Sequence, residues 1–369
     1  MSVAKLIVQN FRNLATKSIS LHPELNFILG DNGSGKSSLL EAIFFIGHGK
    51  SFRTSKIEHL ACYNEDAFTV SVKDNNDLQL GLSKDIRLGI TNIKINGDRH
   101  TRLSDLASNI AVQIITPESF KLFFGGPKER RRFIDLGMFH VKQDFSHQWR
   151  EFSRVLKQRN ACIRSGTDKA ILSYWSTVFC ELSVKVAHVR QTYVESLIKE
   201  LRVWLALLLP ELVDLVNVQY LQGWPQAKEL SEVLDKNFER EKSYGYSLYG
   251  AHKFDVKFLL GKQVIDTQLS RGQQKLFLLA LTFAQAKLIS RVNRVKPILL
   301  IDDIGAELDV NSRLSLAKAI NHLDCQVIIT AIEENVLAPF ISLFEENSGS
   351  NKEDKYKMFH VKQGDVVEK

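Results

Sequence analysis

The nine residues GDNGSGKSS, Gly30 to Ser38, constrain the chain more than any other stretch. Gly30, Gly35, Lys36 and Ser37 fit G-x-x-x-x-G-K-[ST], a loop whose backbone N–H groups turn inward on a phosphate. Such a loop must follow a strand and open a helix, because the unpaired N–H groups of the helix start complete the anion site. The flanks agree: ELNFIL (Glu24 to Leu29) reads as a buried strand, and SLLEAIFFIG (Ser38 to Gly47) carries apolar residues at helical spacing and ends on glycine. The dinucleotide pattern G-x-G-x-x-G is absent here. Gly30, Asp31, Asn32, Gly33, Ser34, Gly35, Lys36, Ser37 and Ser38 are therefore the candidate phosphate-binding set. Lys36 supplies a charge for the outer phosphates, and Ser37 offers a hydroxyl to a magnesium ion.

A P-loop needs a second element that brings carboxylates to the same place. ILLIDD supplies it far downstream: four apolar residues read as a buried strand, then Asp302 and Asp303 at its C-terminal end, where parallel sheets bind ligands. Asp302 is expected to hold magnesium, partly through water, and Asp303 to orient and deprotonate an attacking water. Between the two elements lies TQLSRGQQKLFLLALTFAQ (Thr267 to Gln285). Ser270 is a good helix N-cap with Gln273 at the capping-box position, which reads as an ordinary helix start. It also reads as a second phosphate-binding helix end, with Ser270, the backbone around Gly272, and Gln273 facing a γ-phosphate.

Periodicity divides the chain in three. Residues 1–124 read as mixed strand and helix. MSVAKLIVQNFRN looks like a strand, and AFTVSV, DLQLGL and NIKING alternate as antiparallel strands do, with turn signals at Asn75-Asn76 and Asn96-Gly97. Residues 125–244 read as mostly helical. Apolar residues from Trp175 to Trp204 recur in steps of three and four, predicting a helix of about 30 residues, roughly 45 Å long. Residues 245–369 return to strands: KFDVKFLL, PILLIDD and CQVIITA, with helices over Ser270–Ser290 and Asn311–His322. That alternation implies a largely parallel sheet. The tail MFHVKQGDVVEK reads as an edge hairpin with a frayed end, and ENSGSNKEDK (Glu346 to Lys355) as a polar loop.

Composition narrows the function classes. With 44% hydrophobic and 25% charged residues the chain is of globular type, and no apolar run reaches the roughly 18 residues of a membrane span. The expectation is a cytoplasmic protein with no membrane partner. Cys62, Cys162, Cys180 and Cys325 show neither C-x-x-C nor zinc spacing and read as free thiols of a reducing compartment. A formal net charge of +7 favours a polyanionic partner.

Taken together, LSRGQQK, GDNGSGKS, ILLIDD and the ELD at Glu307 to Asp309 resemble the ABC/SMC-type ATPases, whose signature usually reads LSGGQ. More narrowly, the chain resembles the RecF family of bacterial recombination mediators nearly end to end. The likeness runs through FRN (Phe11 to Asn13), GHGKSFRTS, ITPESFKLFFGGPKERRRFID, LKQRNACIR, GAHKFDV and DDIGAELD.

The resemblance implies an α/β ATPase head, with mixed sheets plus helices, split in sequence by an inserted mostly helical domain. It implies ATP with Mg2+, and a homodimer in which Ser270 of one copy reaches the γ-phosphate held by Lys36 of the other. It implies a weak, DNA-dependent ATPase of recombinational repair and replication restart. Such a protein binds single- and double-stranded DNA at gaps without sequence preference, acts with RecR and RecO, and supports SOS induction. Arg12 is placed by the same resemblance at the nucleotide edge, and Gln113 is the candidate for the glutamine loop. Two departures stand out. Asp303 occupies the place of the usual glutamate, one methylene shorter, which predicts slow turnover. Thr330-Ala331 stands where many ABC proteins carry histidine.

KERRR (Lys128 to Arg132) reads either as a solvated helix face or as a phosphate-binding surface, with Lys50, Arg53, Lys56 and KQR (Lys157 to Arg159) as further cations. No base-reading motif is present in the sequence. Two other functions fit the same motifs: the ATPase subunit of a membrane transporter, and a clamp that binds ATP without hydrolysing it.

Overall fold

A computed structural model describes residues 2–120, 126–166, 168–292, 295–305, 308–346 and 355–369. Gly125, Glu307 and residues 347–354 of the expected polar loop lie outside the described residues. The chain divides into two units. One comprises Met1–Ser119, Trp204–Pro210 and Ser270–Lys369, the other Phe120–Val203 and Glu211–Leu269.

The first unit holds two six-stranded sheets. One is antiparallel throughout, in the order β2-β1-β4-β5-β6-β7. Its strands are β1 (Lys5–Phe11), β2 (Leu14–Ser20), β4 (Ala67–Lys73), β5 (Gln79–Asp85), β6 (Thr91–Ile95) and β7 (Asp98–His100). The β6–β7 turn is Asn96-Gly97, both at positive φ (51° and 90°), the mirror-image turn that matches strand twist. The alternating stretches thus form strands with one buried face, as β4 shows in burying Phe68, Val70 and Val72.

The other sheet has the order β15-β14-β3-β13-β12-β8. Its strands are β3 (Leu25–Leu29), β8 (Val112–Ile115), β12 (Ile298–Ile301), β13 (Gln326–Ala331), β14 (Lys357–Lys362) and β15 (Asp365–Glu368). All its pairings are parallel except that of β15 on β14. Every residue of β3, β12 and β13 is buried, which is why these strands read as unbroken apolar runs. The carboxyl end of β15 is paired through Glu368, and Lys369 N donates to the Met358 carbonyl (2.8 Å), so the expected frayed end is instead held to β14.

Helix Lys36–His48 is buried almost all round, with Leu39, Leu40, Ile43, Phe45 and Ile46 in a core cluster shared with both sheets. It forms the middle layer, so the loop that opens it is fixed from both sides. Helix Arg271–Arg291 is nearly as buried, its Phe283 meeting Trp204 edge to face.

The second unit is mostly helical. Its helices are Pro127–Val141, Phe145–Ser165, Leu230–Lys236, Phe238–Tyr244 and most of Lys169–Leu208, whose last turn from Trp204 falls in the first unit. At 40 residues that helix is about 60 Å long, longer than its apolar pattern announced. The unit also has a three-stranded antiparallel sheet, β11-β10-β9, formed by β9 (Val216–Leu221), β10 (Asp255–Leu260) and β11 (Gln263–Val264). Sequence reading places residues 255–264 with the head; here they pair with β9.

Much of KERRR is engaged within this unit. Arg130 forms a forked pair with Asp255 (2.8 and 2.9 Å), Arg131 donates to the Phe254 carbonyl (3.1 Å), and Arg132 meets Glu129 (3.0 Å). Arg159 of KQR is 1% exposed and pairs with Glu241. These cations organise the fold, and only Lys128 and Arg132 of KERRR face solvent.

Candidate functional site

The loop Gly30–Gly35 leaves β3 and enters helix Lys36–His48. Gly30 is required: a Cβ there would stand 2.4 Å from the Val361 carbonyl on β14. Gly35 has φ 121°, which side chains rarely adopt. Asp31, Asn32 and Gly33 are exposed, whereas Ser34, Lys36 and Ser38 are buried. The hydroxyl oxygen of Ser34 is buried without a hydrogen-bond partner among the described residues.

Lys36 Nζ donates to the carbonyls of Gly30 (2.5 Å) and Asp31 (2.9 Å), so its ammonium curls back over the loop. Burial lowers its pKa, and the charges of Asp302, Asp303 and Asp31 oppose that lowering. Ser37 Oγ lies 3.0 and 3.1 Å from the two carboxylate oxygens of Asp302. The P-loop and the acids of ILLIDD thus meet, because β13 lies between β3 and β12 and all three strands run parallel. A lysine, a hydroxyl and a carboxylate side by side, with hard oxygens only, suit a magnesium-bound triphosphate. Among the described residues no cluster of three or more His, Cys, Asp or Glu side chains offers a closed metal cage.

Asp303 has φ 51°, a left-handed backbone that is uncommon outside glycine. Two contacts hold it there. Its N–H donates to Thr330 Oγ1 (2.8 Å), and its carbonyl accepts from Lys275 Nζ (3.0 Å). Thr330 Oγ1 in turn donates to Asp302 Oδ1 (2.7 Å). One hydroxyl at the end of β13 therefore sets both acids, which the sequence presents only as a missing histidine. Lys275, 2% exposed, lies five residues into the helix that Ser270 opens.

Ser270 and Gln273 form a full capping box: Gln273 N donates to Ser270 Oγ (3.3 Å) and Ser270 N to Gln273 Oε1 (3.1 Å). Ser270 is exposed at this helix start, with Gly272 and Gln273 half-buried beside it. Arg12, at φ 57°, spends its guanidinium on the wholly buried Glu41 (2.7 and 2.8 Å) and on the His59 carbonyl (2.7 Å). Ser51 and Arg53 also reach Glu41. Glu41 of the P-loop helix thus ties to itself both Arg12, at the end of the first strand, and the GHGKSFRTS segment. Gln113 sits mid-strand in β8, opposite Leu299, and donates to Gln285 (2.6 Å). It lies two residues before Ile115, whose carbonyl accepts from Asp302 N (2.8 Å).

Sequence reading missed Asn13. Its amide donates to the Ser34 carbonyl (3.2 Å) and accepts from Ser38 Oγ (2.8 Å), and Gly364 N donates to that same carbonyl (2.7 Å). The P-loop is thus braced from outside by the first hairpin and the last. The FRN triplet was the available signal.

The family model described as RecF/RecN/SMC N terminal domain matches residues 2–355. The DNA replication and repair protein RecF of Colwellia psychrerythraea (strain 34H) is 70% identical over 368 residues, covering 100% of this chain and 98% of that protein. The protein of the same name from Haemophilus influenzae (strain Rd) is 37% identical over 367 residues, covering 99% and 98%. Among solved structures, the recombination mediator protein RecF-ATP in the RecFOR pathway superposes with a TM-score of 0.83 at 23% identity, covering 100% of this chain and 97% of that one. An Smc head bound to the C-winged helix domain of ScpA gives 0.59 at 19%, covering 100% and 98%. The fold is that of these ATPase heads, and with matches of this identity along its whole length the chain belongs to the RecF family of the RecF/RecN/SMC proteins.

Proposed function

We propose that this protein is an ATP-dependent DNA-binding protein of recombinational repair and replication restart, using slow ATP hydrolysis to time its hold on DNA. The observation that carries the reading is the contact of Ser37 with Asp302, which assembles a nucleotide site from the two ends of the chain. Lys36 neutralises the outer phosphates, and the loop from Gly30 to Ser38 cradles them. Ser37 and Asp302 would hold Mg2+, which would supply charge neutralisation for the phosphates. Asp303 orients a water and takes its proton as that oxygen bonds to the γ-phosphorus and the bond to the β-γ bridging oxygen breaks. Arg12 borders the nucleotide through the P-loop helix.

The exposed helix start at Ser270, Gly272 and Gln273 supports a lid function: in a homodimer it faces the γ-phosphate on the other copy. A contact made to ATP and lost with ADP supplies the differential affinity that a switch needs. The excess of positive charge favours non-sequence-specific binding to single- and double-stranded DNA, the RecFOR pathway in which the neighbouring RecF-ATP structure is placed favours RecR and RecO as partners, and our reading extends to SOS induction. Among the described residues no helix is long and apolar enough to cross a membrane. A cytoplasmic location follows from a DNA substrate.

Sedimentation of the purified chain with ATP, ADP or neither, with and without duplex DNA, tests this reading. The expected result is a dimer with ATP and DNA that reverts with ADP. A mass that never changes removes the switch. Lys36→Met is expected to lose ATP while keeping the fold.

A further inference from the structure

Two motifs that the nucleotide site leaves unused, LKQRNACIR and GAHKFDV, converge on one short surface segment of the second unit, Ser243–Tyr249. Beneath it is a polar network of unusual depth. Arg159 (1% exposed) pairs with Glu241 (0%) at 2.7 Å and donates to Ser247 Oγ at 2.6 Å. Asn160 Oδ1 accepts from both the N–H and the hydroxyl of Ser247 (2.8 and 2.7 Å). Glu241 Oε1 accepts from Leu248 N (2.8 Å), and His252 Nε2 meets the Ser247 carbonyl (2.9 Å). Packed apolar residues often stabilise as well as a buried ion pair, so its benefit lies more in fixing one conformation than in raw stability. What it fixes here is a surface segment.

That segment presents Tyr244 (54% exposed) and Tyr246 (38% exposed), with ring centroids 5.9 Å apart and planes inclined by 60°. The rings are too inclined to stack face to face. One cation lies over each ring, and the exposed acid on the helix that ends at Tyr244 is Glu239. Arg240 lies 5.9 Å from the Tyr244 centroid and Lys253 5.2 Å from that of Tyr246. Arg164 reaches the Gly245 carbonyl between them (3.4 Å), and Lys242 is exposed on the same turn. Exposed aromatic faces among cations are what an unpaired nucleic acid strand requires, since every base has a π-face and every nucleotide a phosphate. A duplex offers phosphates but no free base faces.

The geometry points to Ser243–Tyr249 as a stacking platform for single-stranded DNA, with Tyr244 and Tyr246 under the bases and Arg164, Arg240, Lys242 and Lys253 on the backbone. This rests on the DNA-binding reading above and gives it a surface that separates single strand from duplex.

The test is binding of a fluorescent oligothymidine and of a duplex to the full chain, with ATP present. Tyr244→Ala with Tyr246→Ala is expected to weaken oligothymidine binding roughly tenfold while duplex binding holds. Phenylalanine at both positions is expected to restore it. Arg240→Gln with Lys253→Gln is expected to lower the slope of log affinity against log salt by about 1.4, from about 0.7 per phosphate. Photocrosslinking of halogenated oligothymidine is expected to mark the peptide holding both tyrosines. Unchanged melting temperatures show that the variants fold, as exposed positions should. Unaltered affinity in the alanine variant, or crosslinks elsewhere only, overturns the proposal. So does a polyglutamate peptide crosslinked there while oligothymidine binding is unaffected. Wild-type protein that binds duplex but no oligothymidine sinks the platform alone, whereas binding to neither sinks the DNA reading itself.

Discussion

Ser37 and Asp302 stand 265 positions apart in the chain and 3.0 Å apart in space. Neither residue makes a magnesium site alone: a helix-start hydroxyl is a weak ligand, and a lone carboxylate at a strand end is a common cap. Their meeting gives the first prediction. Ser37→Ala should weaken ATP binding in magnesium about tenfold or more, the order of one charge-assisted contact. It should also shrink the gap between affinities measured with magnesium and with chelator. Titration calorimetry under both conditions checks this; a gap as wide as that of the unaltered protein would place the ion elsewhere.

Asp303 gives a sharper case, because its backbone and its side chain make separate demands. At φ 51° the position tolerates Asn nearly as well as Asp, since both short polar side chains visit the left-handed region. Asp303→Asn should therefore keep the fold and ATP binding while removing the proton acceptor. Turnover should fall by on the order of a hundredfold or more, and the dimer should persist on DNA with ATP. Single-turnover hydrolysis and sedimentation read the two effects. Retained hydrolysis would favour another base, and a wild-type rate already near zero would favour the clamp.

Thr330 offers a third test. Its hydroxyl accepts from Asp303 N and donates to Asp302, so Thr330→Val leaves an orphaned donor and a loosened carboxylate at nearly constant volume. The expected cost is about 1–3 kcal/mol of stability, with a lower kcat and a nearly unchanged KM for ATP. Thr330→Ser should restore the rate, which a merely packed side chain would not require. Lys275→Met removes the other brace on Asp303 and should act in the same direction on kcat.

Those braces also mark the limit of what the sequence makes legible. Gly30 to Ser38, the strand of ILLIDD and the helix at Ser270 are readable because each is a local pattern with a local cause: a turn that only glycine can make, an unbroken apolar run, an N-cap. The parallel sheet followed from strands alternating with helices. Thr330, Lys275 and Asn13 were illegible in these roles, because a threonine at a strand end or a lysine in a helix carries no pattern until the partner strand arrives. The second unit's sheet was missed for a similar reason. VNVQYL (Val216 to Leu221) is short, and its pairing partner lies beyond two helices. KERRR misled in the opposite direction, since a run of charge looks the same whether it faces solvent or, like Arg130 on Asp255, is held within the fold.

Stability should depend on pH through two buried imidazoles of the second unit. Burial holds His140 and His252 neutral and lowers both pKa values to about 4, well under the ordinary 6.5. His252 Nε2 lies 2.9 Å from the Ser247 carbonyl and can donate to it while neutral. Between about pH 6.5 and 4 the unfolded chain binds protons that the folded chain refuses, so stability must fall as pH falls through that window. Above pH 6.5 both states hold neutral histidine and the contribution is complete. The ceiling is about 3 kcal/mol for each group, from roughly 1.4 kcal/mol per pKa unit. Melting followed from pH 8 downward should therefore show a plateau and then a decline starting near pH 6.5, above the range where carboxylates titrate. His140→Leu should remove part of that decline, because an apolar side chain of similar size has no proton to take up. A melting temperature that stays level from pH 7 to 5 would show that these imidazoles are hydrated in solution and take up protons without unfolding the second unit.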